Sequence, residues 1–135
     1  MSTFPLKIVT PDGLLFDGQA EKLIVRTTTG DTAVLAKHID CVAALGMGMA
    51  TVVAEGGQRK IAACIGGMLS VQGGNVTLVP TTFEWAESID AARALASQER
   101  AEKVLRDHNA TSTDIALAEA RLHRALVRKS VASFK

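Results

Sequence analysis

Tyrosine is absent from this chain, and aromatic residues make up only 4% of its 135 positions, leaving little for a surface that stacks bases. A charge excess is missing too. The formal net charge is +1, so no nucleic-acid partner is expected. Two cysteines, Cys41 and Cys64, are too few for a disulfide framework and read as buried thiols in a reducing compartment. No apolar run approaches the length of a bilayer span, and the opening Met-Ser-Thr-Phe-Pro-Leu-Lys lacks the charged start and apolar stretch of a signal peptide. Membrane association is therefore expected only through a partner.

Catalytic signatures are also lacking. His38, His108 and His123 show no metal-ligand spacing, so no metal site is expected. Neither a Gly-x-Ser-x-Gly elbow nor a Walker-type loop occurs, and no carboxylate pair has a catalytic context. Gly46-Met47-Gly48 lacks the third glycine and following helix of a dinucleotide fingerprint. No catalytic residue is assigned, no cofactor is required, and the chain is not expected to be an enzyme by itself.

What is present divides in two. All 11 glycines fall between Gly13 and Gly74, and the last of three prolines is Pro80. Charge changes at the same place, from a net of −2 over residues 1–87 to +3 over residues 88–135. The first part reads as short strands. Phe4, Leu6 and Ile8 alternate with polar or small neighbours, and Pro11-Asp12-Gly13 forms a turn. Further strands are predicted at Leu23–Val25, Met49–Val53, Ile61–Ile65, Met68–Val71 and Val76–Val79, with turns at Gly30, Gly56-Gly57 and Gly73-Gly74-Asn75. Asp31 to Leu45 reads as a loop. Such spacing predicts an antiparallel β-sandwich or barrel over residues 1–86.

Residues 87–135 change period. Ala91, Ala94, Leu95, Gln98, Ala101 and Leu105 fall at helical spacing, as do Ile115, Ala118, Leu122 and Ala125. Ser88 or Asp90 can cap the first helix, and Thr111 to Thr113 the second. Glu99–Lys103 and Glu102–Arg106 are i,i+4 pairs of favourable orientation. The short break at residues 108–112 predicts an antiparallel two-helix hairpin. Its contact stripe is mostly alanine, and at about 25 cal/mol per Å² such a seam is weak and detachable. Arg121, Arg124 and Arg128 share one side of the second helix, and Arg93 and Arg100 one side of the first. Converging guanidinium groups suit a polyphosphate or an acidic protein surface. A solvated face laced with glutamates accounts for them equally well.

Several of these segments carry a resemblance. Ile-Val-Thr-Pro-Asp-Gly (residues 8–13), Phe16-Asp17-Gly18 with Ala20, Val34-Leu35 with His38, Gly66-Gly67 to Val71, and Asn75-Val76-Thr77-Leu78 resemble, in order, the epsilon subunits of bacterial F-type ATP synthases. Ile89-Asp90-Ala91-Ala92-Arg93-Ala94 is similar to the Ile/Leu-Asp-x-x-Arg-Ala motif of that family at the first helix. The resemblance implies a β-sandwich bound to the gamma subunit and the rotor c-ring, with no catalytic residue of its own. It implies a peripheral subunit on the cytoplasmic face of the cell membrane, taking part in ATP synthesis and hydrogen-ion transport. The hairpin would regulate. Folded, it permits turnover; extended along gamma, it reaches the alpha and beta subunits and inhibits ATP hydrolysis. In nucleotide-binding members ATP, with or without Mg²⁺, favours the folded hairpin. The matching residues here are Ile89, Asp90, Arg93, Ala94, Arg100, Arg124 and Arg128, with Glu84 added. The rotor contact falls on the region of Asp31 and His38.

The chain departs from the family at one loop. Gly-x-x-Gly-Ile/Val-Leu-Pro-x-His-x-Pro is common there, whereas this sequence places Ala33, Ala36 and Asp40 where a glycine and two prolines stand. A less rigid loop is expected, with φ > 0 costly at Ala33. Two other readings stay open from the residues alone: a free-standing nucleotide sensor with no rotor, and an enzyme built on a β-sandwich.

Overall fold

The computed structural model describes residues 2–134, which divide into two compact units between Trp85 and Ala86. The first unit is all β. β1 (Phe4–Thr10) buries Phe4, Leu6 and Ile8, as its alternation predicts, and Gly13 at φ 133° reverses the chain into β2 (Gly13–Thr27). β3 (Gly30–Val34), β4 (Cys41–Ala44), β5 (Met47–Ala54), β6 (Arg59–Gln72) and β7 (Asn75–Trp85) follow. The strand order is β1-β7-β6-β5-β2-β3, with β4 beside β6. Because β1 also pairs with β2, five of these strands form a closed ring and leave no open edge among themselves.

Long bent strands flatten this ring into a two-layered sandwich. β2 pairs with β1 along Gly13–Ala20, then with β5 and β3 beyond a register shift between Ala20 and Lys22. β6 pairs with β5 over its first half and β4 over its second, while β7 follows it from Ala62 to Gln72. Leu6, Ile8, Leu23, Val25, Val34, Val52, Leu69, Val71 and Leu78 meet between the layers, all fully buried. Each contributes about 1.5–3 kcal/mol of burial.

Three features differ from the sequence reading. Residues 31–45, read as a loop, contain β3 and β4. β3 is held by its hairpin on β2 and β4 by four rungs on β6, neither with a long alternating pattern of its own. The sandwich is also not wholly antiparallel: β1 pairs parallel with β7 through Leu6↔Val76, Lys7↔Thr77 and Ile8↔Leu78, which closes the ring. Finally, Ile61–Ile65 and Met68–Val71 belong to one strand. Gly66 and Gly67 take φ 68° and 107° yet stay in register with β7, so they bend β6 without ending it. Cys41 is half-buried on the short β4. Cys64 is buried in the core, where loss of water pushes its thiol up to about 12. Neither forms a disulfide.

In the second unit a 3₁₀ turn (Ala86–Ser88) precedes α1 (Ala91–Leu105) and α2 (Ser112–Ala132). Asp90 caps α1, its carboxylate accepting the Arg93 N–H at 3.0 Å. Thr111 and Asp114 cap α2 reciprocally: Asp114 N–H donates to Thr111 Oγ1 at 3.1 Å and Thr111 N–H to Asp114 Oδ2 at 3.2 Å. The helices lie against each other, joined through residues 106–111, and are therefore antiparallel. Their buried residues are Ala94 and Ala101 on α1 and Ala118, Ala125, Val131 and Ala132 on α2, the alanines repeating every seventh position. Glu102 accepts a hydrogen bond from the Gln98 amide at 2.7 Å rather than pairing with Arg106.

A Cβ at Gly67 would run into the Val79 carbonyl and the buried Pro80 backbone. We expect Gly67→Ala to destabilise the β unit by about 1–3 kcal/mol, combining backbone strain with overpacking. Urea unfolding followed by Trp85 fluorescence measures this; an unchanged midpoint contradicts it.

Candidate functional site

Two regions carry the candidate residues. The first lies where β2, β3, β4 and β6 present their outer surface. Asp31 stands opposite Arg26 on the β2–β3 hairpin, and the two form a forked ion pair. Arg26 Nε donates to Asp31 Oδ1 at 2.6 Å and its terminal nitrogen to Oδ2 at 3.4 Å. The guanidinium holds the Asp31 carboxyl below the ordinary carboxylate range, and Asp31 raises Arg26 in turn. Glycines make room for this arginine: a Cβ at Gly48 would lie 2.6 Å from Arg26 Cβ, and one at Gly46 3.4 Å from Arg26 Cγ. Gly46-Met47-Gly48 thus supports an arginine stem.

His38 follows β3 in a turn whose Leu35 carbonyl accepts the His38 N–H at 3.3 Å. Its Nδ1 lies 2.8 Å from the Ile39 carbonyl. Since a carbonyl only accepts, Nδ1 is the donor in this contact. Ala33 is an ordinary strand residue paired with Ile24, so no left-handed residue is needed there; the left-handed position is Lys37, at φ 66°. Asp40 accepts the Gly73 N–H at 2.9 Å, tying the loop to the β6–β7 turn. The loop expected to be loose is fastened by the residue that replaces a proline. Beside it, Val42 on β4, Met68 on β6 and Val79 on β7 are exposed, and Ala44, Met68 and Val79 stand side by side on one rung.

The second region is the hairpin. Ile89 and Ala94 are buried, while Asp90 and Arg93 are exposed at the start of α1. Arg93 and Arg100 each precede a seam alanine, as Arg124 precedes Ala125. The matched spacing puts Arg93 and Arg124 near one level of the hairpin, with Arg100 about 10 Å further along α1. Arg124 and Arg128 are half-buried; Arg121 is exposed. Glu84 belongs to the β unit, half-buried opposite Ala63. Asp90, a candidate adenine contact, already spends one carboxylate oxygen on its cap. Among the described residues no three His, Cys, Asp or Glu side chains converge as metal ligands, and no helix is long and apolar enough to cross a membrane.

Residues 3–86 match the beta-sandwich domain of the ATP synthase delta/epsilon chain, and residues 87–133 its long alpha-helix domain. The chain belongs to the ATP synthase delta/epsilon family. Within it the chain is an ATP synthase epsilon subunit. It is 43% identical over 132 residues to the ATP synthase epsilon chain of Bacillus velezensis, covering 98% of each chain. It is 40% identical over 131 residues to that of Caldanaerobacter subterraneus subsp. tengcongensis, covering 97% of this chain and 94% of the relative. The fold matches a chain in the Euglena gracilis mitochondrial ATP synthase (OSCP/F1/c-ring) with TM-score 0.85 and 22% identity, over 100% of this chain and 83% of that one. A chain from the Tetrahymena thermophila central stalk and c-ring matches with TM-score 0.62 and 14% identity, over 95% of each.

For this epsilon chain, sequence reasoning missed Arg26 and Lys37. Arg26 had a readable signal: a turn at Thr28-Thr29 sets Arg26 directly across from Asp31. The turn at Lys37 gave none, since lysine does not announce a left-handed backbone.

The Arg26–Asp31 pair generates a pH prediction. A depressed carboxyl contributes its stability above the ordinary value and loses it as pH falls through the depressed one. The pair should thus stay closed at neutral pH and open only in acid, below the usual carboxylate range. Carboxyl-detected NMR titration checks this: Arg26→Ala should return Asp31 to the ordinary range, and a wild-type Asp31 already titrating there contradicts the pair.

Proposed function

We propose that the β unit docks on the gamma subunit and the rotor c-ring and helps to carry rotation between the membrane sector and the catalytic head. The chain contributes no catalytic residue. It is a peripheral subunit on the cytoplasmic face of the cell membrane, joined to hydrogen-ion transport through its complex. The observation that carries this is the full-length match, sandwich and helical region both, to epsilon chains. The exposed Val42, Met68 and Val79 beside the fastened His38 loop support it, because apolar side chains grouped on a sheet face suit a protein partner.

The hairpin is the regulatory part in this reading, reaching the alpha and beta subunits when extended. Its alanine seam supports that role. Alanines bury little surface, so parting the helices from their folded arrangement costs less than parting a leucine seam. Moving such an equilibrium almost completely takes a differential of about 5.5 kcal/mol. Two or three charge-assisted bonds from Arg93, Arg100, Arg124 or Arg128 to ATP phosphates, at about 1.5–3 kcal/mol each, are of that size.

Removing residues 90–135 should leave the sandwich folded and bound to gamma, while ATP hydrolysis by the reconstituted complex rises. Hydrolysis that does not change means the hairpin is not inhibitory. For the nucleotide, ATP with or without Mg²⁺ should raise the hairpin's melting temperature, and Arg93→Ala should abolish the increase. Because Asp90 caps α1, Asp90→Ala would cost about 0.5–2 kcal/mol with or without ATP. Asp90→Asn keeps the cap and is the cleaner variant. Calorimetry showing no binding at millimolar ATP removes the nucleotide role and leaves the subunit assignment intact.

A further inference from the structure

The six residues between β3 and β4 include Ile39 and Leu35, exposed at 78% and 52%, as well as His38. Exposed apolar residues on a connecting loop act in docking only when the loop has a fixed shape, since ordering it at the moment of contact costs affinity. Ala36 packs against the sandwich core, but the turn that carries it is poorly preset by its own residues. Leu35 to His38 form a turn with Ala36 at its second position and Lys37, at φ 66°, at its third. That is the type II pattern, which proline favours at the second position and glycine or asparagine at the third. Alanine does not preset φ, and lysine has a Cβ that disfavours φ > 0. Outside the strand ladders, and apart from the bond at Asp40, the loop's hydrogen bonds among the described residues stay within it: His38 N–H to Leu35, and His38 Nδ1 to Ile39.

Asp40 supplies a hydrogen-bonded anchor at the other end of the loop. Its Oδ1 accepts the Gly73 N–H at 2.9 Å, across 33 positions of sequence, from the tight turn between β6 and β7. Gly73 and Gly74 hold that turn at φ 56° and 83°, so the donor is fixed by its own backbone and the strands beside it. We infer that Asp40 is a positioning residue: by holding the Gly73 N–H it replaces the rigidity that prolines would give and presents Leu35, His38 and Ile39 in one shape to the rotor. The role rests on the reading that this loop meets the rotor; the tether itself does not.

The experiment compares the full-length wild-type chain with Asp40→Ala, Asp40→Asn and Ala36→Pro/Asp40→Ala. Amide exchange at Gly73 and residues 36–39, melting temperature, and affinity for a detergent-solubilised gamma–c-ring rotor are read for each. In Asp40→Ala, Gly73 exchange should rise about tenfold, as for loss of one charge-assisted bond. Rotor affinity should fall several-fold with the melting temperature unchanged. Asp40→Asn retains an acceptor oxygen and should stay near wild type. Ala36→Pro should restore affinity without restoring Gly73 protection, an outcome that a merely structural role for Asp40 does not give. Unchanged Gly73 exchange in Asp40→Ala overturns the tether; lost protection with full rotor affinity overturns the positioning role. A wild-type chain that does not bind the rotor overturns the docking reading and the positioning role with it, while Gly73 exchange still reports on the tether.

Discussion

The ladder between β6 and β7 keeps one register from Ala62↔Trp85 to Gln72↔Asn75, passing over Gly66, and the β unit depends on it. β6 carries β5 and β4 on its other edge, and β7 carries β1, so this pair joins both layers and closes the ring. A pair of that length must bend to serve two layers. The bend falls at Gly66-Gly67, where the backbone passes so close to Val79 and Pro80 that a side chain has no room. The core residues are then placed by alternation on either side of a bend that glycine alone permits.

The two units are built on opposite terms. The sandwich buries large aliphatic side chains between layers, whereas the helices bury mainly alanines at every seventh position, with Val131 near the end of α2. Good caps at Asp90 and Thr111 secure the helix starts, so each helix is well specified while the contact between them stays thin. Parting such a pair gives up less burial than parting one seamed with leucine, while the caps still hold the start of each helix.

Much of this was legible in the sequence because period and punctuation agree. The alternation at Phe4, Leu6 and Ile8, the turns at Gly13 and Gly73-Gly74, the change of period after Pro80 and the caps at Asp90 and Thr111 are local signals, and the structure uses each. What stayed hidden is non-local. β3 and β4 are strands because β2 and β6 offer them edges, and the parallel β1–β7 rungs join residues some seventy positions apart. Gly66-Gly67 read as a break because positive φ usually ends a strand, yet here it is tolerated inside one. Of the candidate site, Asp31 and His38 were visible and Arg26 was readable from the short turn that sets it across from Asp31, but the bond from Asp40 to Gly73 behind His38 emerged only from the fold. The hairpin arginines were all visible; the cap that engages Asp90 narrows what that carboxylate has left for a nucleotide.

Gly48 lies directly beneath Arg26, its missing methyl group occupied by the arginine's own stem. The two positions are consequently not free to drift apart over evolutionary time. A bulkier residue can enter at 48 only after the one at 26 has become smaller or turned away, and by then Asp31, across the same hairpin, has lost its counter-ion. Lineages that alter this corner should change all three positions together or none, leaving a correlated trace among descendants of the chain.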